Sequence, residues 1–332
     1  MAFLAPSPKI LGICVVKNEQ DIIEPFVRHN LKFLDSLVVL DNGSVDGTKA
    51  ILEELARELK ELVVVDDDRF GHTQSARMTQ LLRGARSAFA ADYVFALDGD
   101  EFIGATDRYE LCKILEAIPF GGYGLVPWRT FVLTPGTVAP SVTDPPRSLP
   151  WRRREELPVH YKVILRCDGK FDHDLIIPLG NHAVASATGR EIPFVYLEDL
   201  SLMHFPVRSR DQFVAKMVVG WMAHLSRDPR HRETGESWQK RDNFDRIAEG
   251  LVLDDKMLCE LSLLYAQTER PIDWRRDVIL EDLPFDYVRR YSTGEALSAL
   301  QLIARAWEQS LLGGSPPRQR SAAMVAAANQ RS

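Results

Sequence analysis

The sequence lacks several features that would point to a membrane, secreted or nucleic-acid-binding protein. No apolar run approaches the ~20 residues of a transmembrane helix, so we expect no membrane-spanning segment. Residues 1–9 lack the basic and long apolar segments of a secretory signal. A formal net charge of −6 argues against a general nucleic-acid binder, although it leaves a local basic patch open. These absences favour a cytoplasmic protein.

Cysteine is scarce and is not arranged for a metal. The four cysteines lie far apart, and we interpret them as buried thiols in a reducing compartment. They are Cys14, Cys112, Cys167 and Cys259. The rest of the composition, 45% apolar and 27% charged, is that of a globular protein. A chain of 332 residues is long enough for one large domain or two ordinary ones.

The most informative stretch of the chain ends in two acids. Residues 93–97 are apolar without alternation, which predicts a strand buried on both faces of a parallel sheet. Asp98 and Asp100 come next, separated only by Gly99. Open α/β sheets bind ligands at this end of their strands, and neighbouring carboxylates suit a hard ion such as Mg²⁺ or Mn²⁺. A plain turn that ends the strand is the alternative, because Asp and Gly are common turn residues.

Three more strands precede this one, and each is followed by a helix. The strands are predicted at 10–16, 36–40 and 62–65, and the helices at 21–33, 48–60 and 73–90. Strands that alternate with helices form a parallel sheet through right-handed crossovers, so the fold class is α/β. Asp41 comes directly after the second strand and should project over the same sheet edge as Asp98. A turn that caps the next helix is compatible with this role of Asp41.

The second half of the sequence is less regular. Predicted elements are a helix at 109–118, strands at 123–128, 159–166 and 192–204, and helices at 212–225, 236–248, 255–266 and 294–311. Residues 133–158 are rich in proline and show little periodicity, which predicts a functional loop or a disordered segment. Trp151 would suit stacking on an apolar ring face, and the three arginines directly after it would suit a phosphate or carboxylate. A solvated insertion is the alternative.

Four motifs fall in the order and spacing of the GT-A glycosyltransferases of family 2. They are residues 13–19, the sequence LDNGSVDGT at 40–48, the pair Ala76-Arg77, and the sequence LDGDE at 97–101. The chain resembles this family over roughly residues 9–130. The resemblance implies a Rossmann-like, mostly parallel sheet flanked by helices, with a helical C-terminal region. Two positions depart from the common pattern, because Asn42 replaces a frequent second acid and Met78 a frequent asparagine.

The resemblance also implies roles for individual residues. Asp41 would hold the nucleotide base, and Arg77 would lie near the nucleotide. Asp98 and Asp100, the DXD acids, would contact the ribose and bind the metal on the diphosphate. His204 would complete the metal site, and an imidazole ligand shifts the preference from Mg²⁺ toward Mn²⁺. A strand-end histidine bonded to backbone is the alternative for His204.

Further candidates lie in the second half. Arg208 and Lys216 would neutralise the diphosphate, unless they are ordinary surface charges. Glu198 and Asp199 lie roughly 100 residues after the DXD acids, similar to an acidic pair of the family, and would supply the base of an inverting reaction. A structural salt bridge is the alternative, because the usual aromatic context is missing. His182 is a candidate for lining the acceptor site.

The sequence therefore predicts a metal-dependent glycosyltransferase that moves a sugar from a nucleotide-diphosphate donor to an acceptor hydroxyl. UDP-sugars are the default donor by family frequency, and the acceptor is a glycan, a lipid-linked molecule or another hydroxyl compound. No nucleic-acid partner is expected, and peripheral membrane contact stays open. We predict a catalytic domain at 1–206, a helical region at 207–312 and a disordered tail at 313–332.

Two other functional classes remain at this point. One is a phosphatase with an aspartyl nucleophile, which also carries two acids after a buried strand. Phe102 stands where such enzymes usually have Thr or Val. The other is a non-catalytic sensor of nucleotide sugars. The Gln-Arg-Trp signature of processive polysaccharide synthases is absent, which disfavours a polymerase that extrudes its product.

Overall fold

A computed structural model describes residues 7–67, 74–138, 144–167, 172–225, 238–250, 253–291 and 295–312. The tail predicted at 313–332 lies outside the described residues. The strands are β1 (Ile10–Val16), β2 (Ser36–Asp41), β3 (Leu62–Asp66), β4 (Tyr93–Leu97), β5 (Glu101–Ile103), β6 (Tyr123–Thr130), β7 (Trp151–Arg153), β8 (Tyr161–Arg166), β9 (Leu175–Ile176), β10 (Ala185–Ser186), β11 (Phe194–Tyr196), β12 (Leu202–His204) and β13 (Val278–Leu280). The helices are α1 (Ile23–Asn30), α2 (Thr48–Glu58), α3 (Gln74–Phe89), α4 (Arg108–Leu115), α5 (Pro145–Ser148), α6 (Arg210–Leu225), α7 (Trp238–Ala248), α8 (Asp255–Leu263), α9 (Trp274–Asp277) and α10 (Ala299–Leu312). None of the described helices is long and apolar enough to cross a bilayer.

The central sheet confirms the predicted α/β class. Its strand order is β3-β2-β1-β4-β8-β6-β12-β5, with β11 paired to β6. The four N-terminal strands are parallel to one another, as their helical connections require. Strand β8 runs antiparallel between β4 and β6, and β12 runs parallel to β6. The carboxyl end of β4 therefore faces residues that come from the second half of the chain.

The sheet is buried on both faces, which is why its first strands are apolar without alternation. Cys14 and Leu97 belong to the core on one face, which α1 and α2 cover. Ile13 and Ala96 belong to the core on the other face, against Met78 of α3. Fully burying a large apolar side chain stabilises the fold by roughly 1.5–3 kcal/mol, so this double-sided packing holds the strand ends in place.

The expectation that residues 133–158 lack regular structure is wrong for the described part of that segment. It contains α5 and β7, and β7 pairs with β13 of the helical region. The three arginines bind other groups of the protein. Arg152 pairs with Glu281, and Arg154 donates a hydrogen bond to the Arg276 carbonyl at 2.8 Å. The described prolines of this segment do not prevent this, because they lie in α5 and in the connections.

Candidate active site

Asp98 lies just after β4 with both carboxylate oxygens occupied by protein donors. Its Oδ1 accepts hydrogen bonds from Gln74 Nε2 at 2.9 Å and from Asn181 Nδ2 at 3.0 Å. Its Oδ2 accepts a hydrogen bond from Lys162 Nζ. These contacts fix the orientation of Asp98 before any ligand arrives.

Lys162 is a site residue that the sequence motifs do not reveal. It is fully buried on β8, and its Nζ also donates to the Gly180 carbonyl at 2.6 Å and lies 3.3 Å from Glu101 Oε1. Burial alone would lower the pKa of Lys162, but Asp98 and Glu101 raise it above its usual value. The sequence gives one indication of Lys162, which is the charged residue inside the mostly apolar strand YKVILR. A lysine buried in such a strand needs an acidic partner, so its presence indicates a nearby carboxylate.

Asp100 is buried among three cationic or basic groups. Lys216 Nζ donates to its Oδ2 at 2.9 Å, and Arg208 Nη1 lies 3.8 Å from the same oxygen. His204 Nε2 lies 3.8 Å from Oδ1. Burial alone would raise the pKa of Asp100, but Lys216 and the other two groups hold it below its usual range. Asp98 and Asp100 are therefore each paired with a lysine, which offsets the electrostatic repulsion between the two neighbouring carboxylates.

His204 ends β12 and is positioned by an aromatic contact. Its ring stacks on Trp128 with centroids 4.0 Å apart. Trp128 Nε1 in turn donates to Glu101 Oε1 at 2.7 Å, which fixes the indole. His204 Nδ1 is buried without a hydrogen-bond partner in the described part of the chain. The imidazole is therefore held by packing, with Nε2 directed at Asp100.

The three metal ligands predicted from the sequence do not come together as a set. No group of three or more His, Cys, Asp or Glu side chains that could hold a metal occurs among the described residues. Asp98 is engaged by Lys162, whereas Asp100 and His204 face each other. Mg²⁺ and similar ions are often held by one or two protein ligands together with substrate phosphates. Asp100 and His204 fit an ion bound in that way.

Arg208 joins two elements instead of facing open space. Its guanidinium is fully buried and donates to both oxygens of Asp21, at 2.6 and 3.0 Å. It also donates to Glu19 at 2.5 Å and to the Phe205 carbonyl at 3.1 Å. These bonds tie the segment before α6 to the segment before α1. A role of Arg208 on the diphosphate stays a prediction.

Asp41 is the last residue of β2, and Arg77 on α3 lies close to the end of the adjacent strand β3. Asp41 is 2% exposed, and its carboxylate accepts hydrogen bonds from the Ser44 hydroxyl and from the Ser44 amide at 3.1 Å, which is the turn predicted as compatible with its role. Burial raises the pKa of Asp41. Arg77 Nε lies 3.5 Å from Asp67 Oδ2, and the Asp67 amide donates to the Asp41 carbonyl. Since β1 separates β2 from β4, Asp41 and Asp98 are about 10 Å apart by strand spacing.

Glu198 and Asp199 are not brought to this cluster. Both are exposed in the turn that precedes β12, at the opposite end of that strand from His204. Within the described ranges, no hydrogen bond or ion pair joins either of them to Asp98 or Asp100. Their assignment as catalytic base stays a prediction.

Comparisons with known proteins bear on this arrangement. Residues 13–169 match the model of the family described as Glycosyl transferase family 2. No curated protein sequence matches the chain. Similar solved structures include TarS 1–349 of S. aureus, at 15% identity and a TM-score of 0.37, covering 77% of this chain and 79% of that one.

Two more solved structures are similar at the same level. The mannosyltransferase PcManGT from Pyrobaculum calidifontis, in complex with GDP-Man and Mn²⁺, is 17% identical with a TM-score of 0.38, and the match covers 97% of this chain and 86% of that one. GalNAc-T7 with UDP, GalNAc and Mn²⁺ is 11% identical with a TM-score of 0.38, covering 74% and 57%. Scores this low support no argument about function.

The family match runs from the middle of β1 to just after β8, and it includes Asp41, Arg77 and the Asp98–Asp100 turn. It confirms the resemblance found in the sequence motifs. Residues 13–169 of the chain are therefore similar to glycosyltransferase family 2, and this match supports glycosyl transfer as the general activity.

Proposed function

We propose that the protein transfers a sugar from a nucleotide-diphosphate donor, by default a UDP-sugar, to an acceptor hydroxyl with inversion. The observation that carries the proposal is the buried Asp100, which faces His204 on one side and contacts Lys216 on the other. An acid and a flexible cation side by side suit a bound diphosphate and its counterion. Ionic groups this deeply buried are tolerated when they are paired, and paired ionic groups at a strand end are typical of a ligand site.

Each group has a defined task in this proposal. Asp41 and the turn after β2 would bind the nucleotide base, with Arg77 beside it. Asp98, oriented by Lys162, would accept hydrogen bonds from the ribose hydroxyls. Lys216 would donate to the diphosphate, since its Nζ reaches the site from α6 on an aliphatic stem.

The metal would be Mn²⁺ or Mg²⁺, held by Asp100 and His204. When bound, such an ion supplies positive charge that stabilises the leaving diphosphate. An imidazole ligand favours Mn²⁺ over Mg²⁺, because nitrogen donors suit later divalent metals better. Lys216 would share the neutralisation of the same oxygens.

The acceptor would be a glycan, a lipid-linked molecule or another compound with a free hydroxyl. A cytoplasmic location is part of the proposal and is supported by the four cysteines, all of which are free thiols. The three-part domain division at residues 206 and 312 also remains a proposal.

The test is release of nucleoside diphosphate from a panel of UDP- and GDP-sugars, with Mn²⁺, with Mg²⁺ and with EDTA. We expect release that depends on the added ion and on one donor class. Release of phosphate from phosphate esters instead would favour the phosphatase. Saturable binding of a donor without turnover, over a range of acceptors, would favour the sensor.

A further inference from the structure

A short turn after β9 is fixed directly to Asp98. The turn, Leu179–Asn181, receives a hydrogen bond from Lys162 Nζ at the Gly180 carbonyl, 2.6 Å away. Asn181 is fully buried and donates from Nδ2 to Asp98 Oδ1 at 3.0 Å. The turn that carries the next residue, His182, is therefore held beside Asp98 by these two polar contacts, although it lies far from Asp98 in sequence.

The imidazole of His182 is fixed in one tautomer. Its Nδ1 lies 2.7 Å from the Tyr161 carbonyl, which can only accept, so Nδ1 carries the proton and Nε2 carries a lone pair. The residue is exposed, in contrast to the buried His204. A neutral histidine with a protonated Nδ1 and an accessible face is arranged to take a proton.

His182 shares a neighbour with the proposed metal pair. Its ring meets the edge of Trp128 with centroids 5.5 Å apart, and the same indole stacks on His204. Trp128 therefore lies between a buried imidazole, which faces Asp100, and an exposed one, which faces solvent.

Resting on the proposed function, we infer that His182 is the general base for the acceptor hydroxyl. Nε2 takes the hydroxyl proton as the acceptor oxygen forms its bond to the anomeric carbon. The bond from that carbon to the diphosphate oxygen breaks, and its electron pair leaves with the nucleoside diphosphate. His182 thereby occupies the role that the sequence assigned to Glu198 and Asp199.

The charges around His182 are consistent with this role. Although the residue is exposed, partial desolvation of its ring lowers the pKa of His182, and the Lys162 ammonium lowers it further, which favours the neutral imidazole. The Asp98 carboxylate acts in the opposite direction, and His160 is the other titratable group that faces it. Gly180 leaves room for the ring, since a Cβ there would lie 2.6 Å from His182 Cδ2.

The experiment uses the nucleotide sugar that the wild-type protein turns over best, with water as the acceptor. His182→Gln should lower kcat by about 10² to 10⁴, the usual contribution of a general base. The dissociation constant for the nucleoside diphosphate should stay within about twofold, because the donor site is intact. His173→Gln is the matched control, an exposed histidine on the turn before β9, and should leave both quantities unchanged.

Two measurements distinguish a role of His182 as a general base from a purely structural role. The wild-type kcat should fall with decreasing pH through a pKa below 6.5. The His182→Gln variant should not show this decrease. Added imidazole should restore part of the turnover of His182→Ala. Both effects require a proton acceptor at this position, and packing changes alone produce neither.

Three results would overturn the inference. One is a kcat for His182→Gln within about threefold of wild type. Another is loss of turnover in a Glu198→Gln, Asp199→Asn double variant while His182→Gln stays active, which would restore the assignment made from sequence. The third is an unchanged decrease of kcat at low pH in His182→Gln. A wild-type protein that turns over no nucleotide sugar would instead overturn the proposed function itself.

Discussion

At the scale of single residues, the site depends on charges that are buried in pairs. Lys162 contacts Asp98, and Lys216 contacts Asp100. Removing a charge from water costs several kcal/mol, and a close partner of opposite charge repays that cost only when both are present. The pairs therefore orient the acids at the strand end, but they make the fold sensitive to the loss of either partner.

Loss of Lys162 should destabilise the protein strongly. Lys162→Met leaves the fully buried Glu101 and the partly exposed Asp98 without their cation, so we expect a loss of about 3 to 5 kcal/mol in the free energy of unfolding. Lys49→Met is the matched control, because Lys49 pairs with Asp66 on the surface and should cost less than about 1 kcal/mol. Denaturant unfolding of both variants measures the difference, and equal losses would contradict the role given to Lys162.

His29 should make stability depend on pH in the mildly acidic range. Its ring is 1% exposed, packs against Phe33 and Phe285, and donates from Nε2 to the Ile103 carbonyl at 2.8 Å. Burial lowers its pKa from 6.5 to about 4. Between these values the unfolded chain binds a proton that the folded protein does not, so stability decreases as pH falls, by up to about 1.4 kcal/mol per pH unit.

The measurement is urea unfolding of wild type and His29→Gln at several pH values from 7 to 4. We expect the variant to be less stable at pH 7 but to lose less stability on acidification. The exposed His173→Gln variant should keep the wild-type slope. An identical slope in His29→Gln and wild type would mean that His29 does not carry this dependence.

At the scale of elements, two buried arginines connect segments that lie far apart in the sequence. Arg208 links the segment before α6 to the segment before α1 through Asp21 and Glu19. Arg153 on β7 donates to three carbonyls at the C-terminal end of α8, those of Ser262, Leu263 and Tyr265, at 3.2, 2.8 and 2.6 Å. A cation at these carbonyls satisfies groups that a helix end leaves without partners.

Arg153→Met should therefore loosen α8 without touching the donor site. Several bonds from a buried cation are lost together, so we expect a destabilisation of about 3 kcal/mol or more. The affinity for the nucleoside diphosphate should stay unchanged. Arg210→Met, which removes an exposed pair with Asp255, is the control. Thermal unfolding and calorimetry test this, and an equal change in both variants would contradict it.

Strands that are specified by a local sequence pattern are predictable from the sequence. Strands that form only by pairing with a segment far away in the chain are not. The first four strands lie within a residue of the predicted bounds, because buried apolar runs specify them directly. The pattern at 192–204 predicts one strand, but these residues form β11 and β12 with an exposed turn between them. Strand β7 escapes prediction because it pairs with β13, more than 100 residues away, and no local pattern indicates such a partner.

At the scale of the whole molecule, the site combines both halves of the chain. The parallel part of the sheet supplies Asp41 at the end of β2 and Asp98 and Asp100 after β4, with β1 between these two strands. Strand β8 enters between β4 and β6 and brings Lys162, and β12 brings His204. The acids are predictable because they come directly after strands of a recognisable motif. Their partners are not, because the insertion of an antiparallel strand beside β4 depends on contacts between distant segments.

The central claim is that Asp100 lies at the centre of the transfer site, and one substitution tests it directly. Asp100→Asn keeps the shape of the side chain but removes the charge that faces His204 and Lys216. We expect donor turnover to fall by at least about 10² in the presence of Mn²⁺, because an amide would hold the proposed ion less well, and losing a group that stabilises a leaving anion usually costs this much. Asp211→Asn, an exposed acid at the start of α6, should retain turnover.

Circular dichroism and thermal unfolding must first establish that Asp100→Asn is folded at the assay temperature, since the loss of a partner for Lys216 is expected to lower its stability. The measurement is then the rate of nucleoside diphosphate release by wild type, Asp100→Asn and Asp211→Asn from the same donor. Loss of release in Asp100→Asn alone is the predicted result. Undiminished release by a folded Asp100→Asn protein would contradict the central role of Asp100.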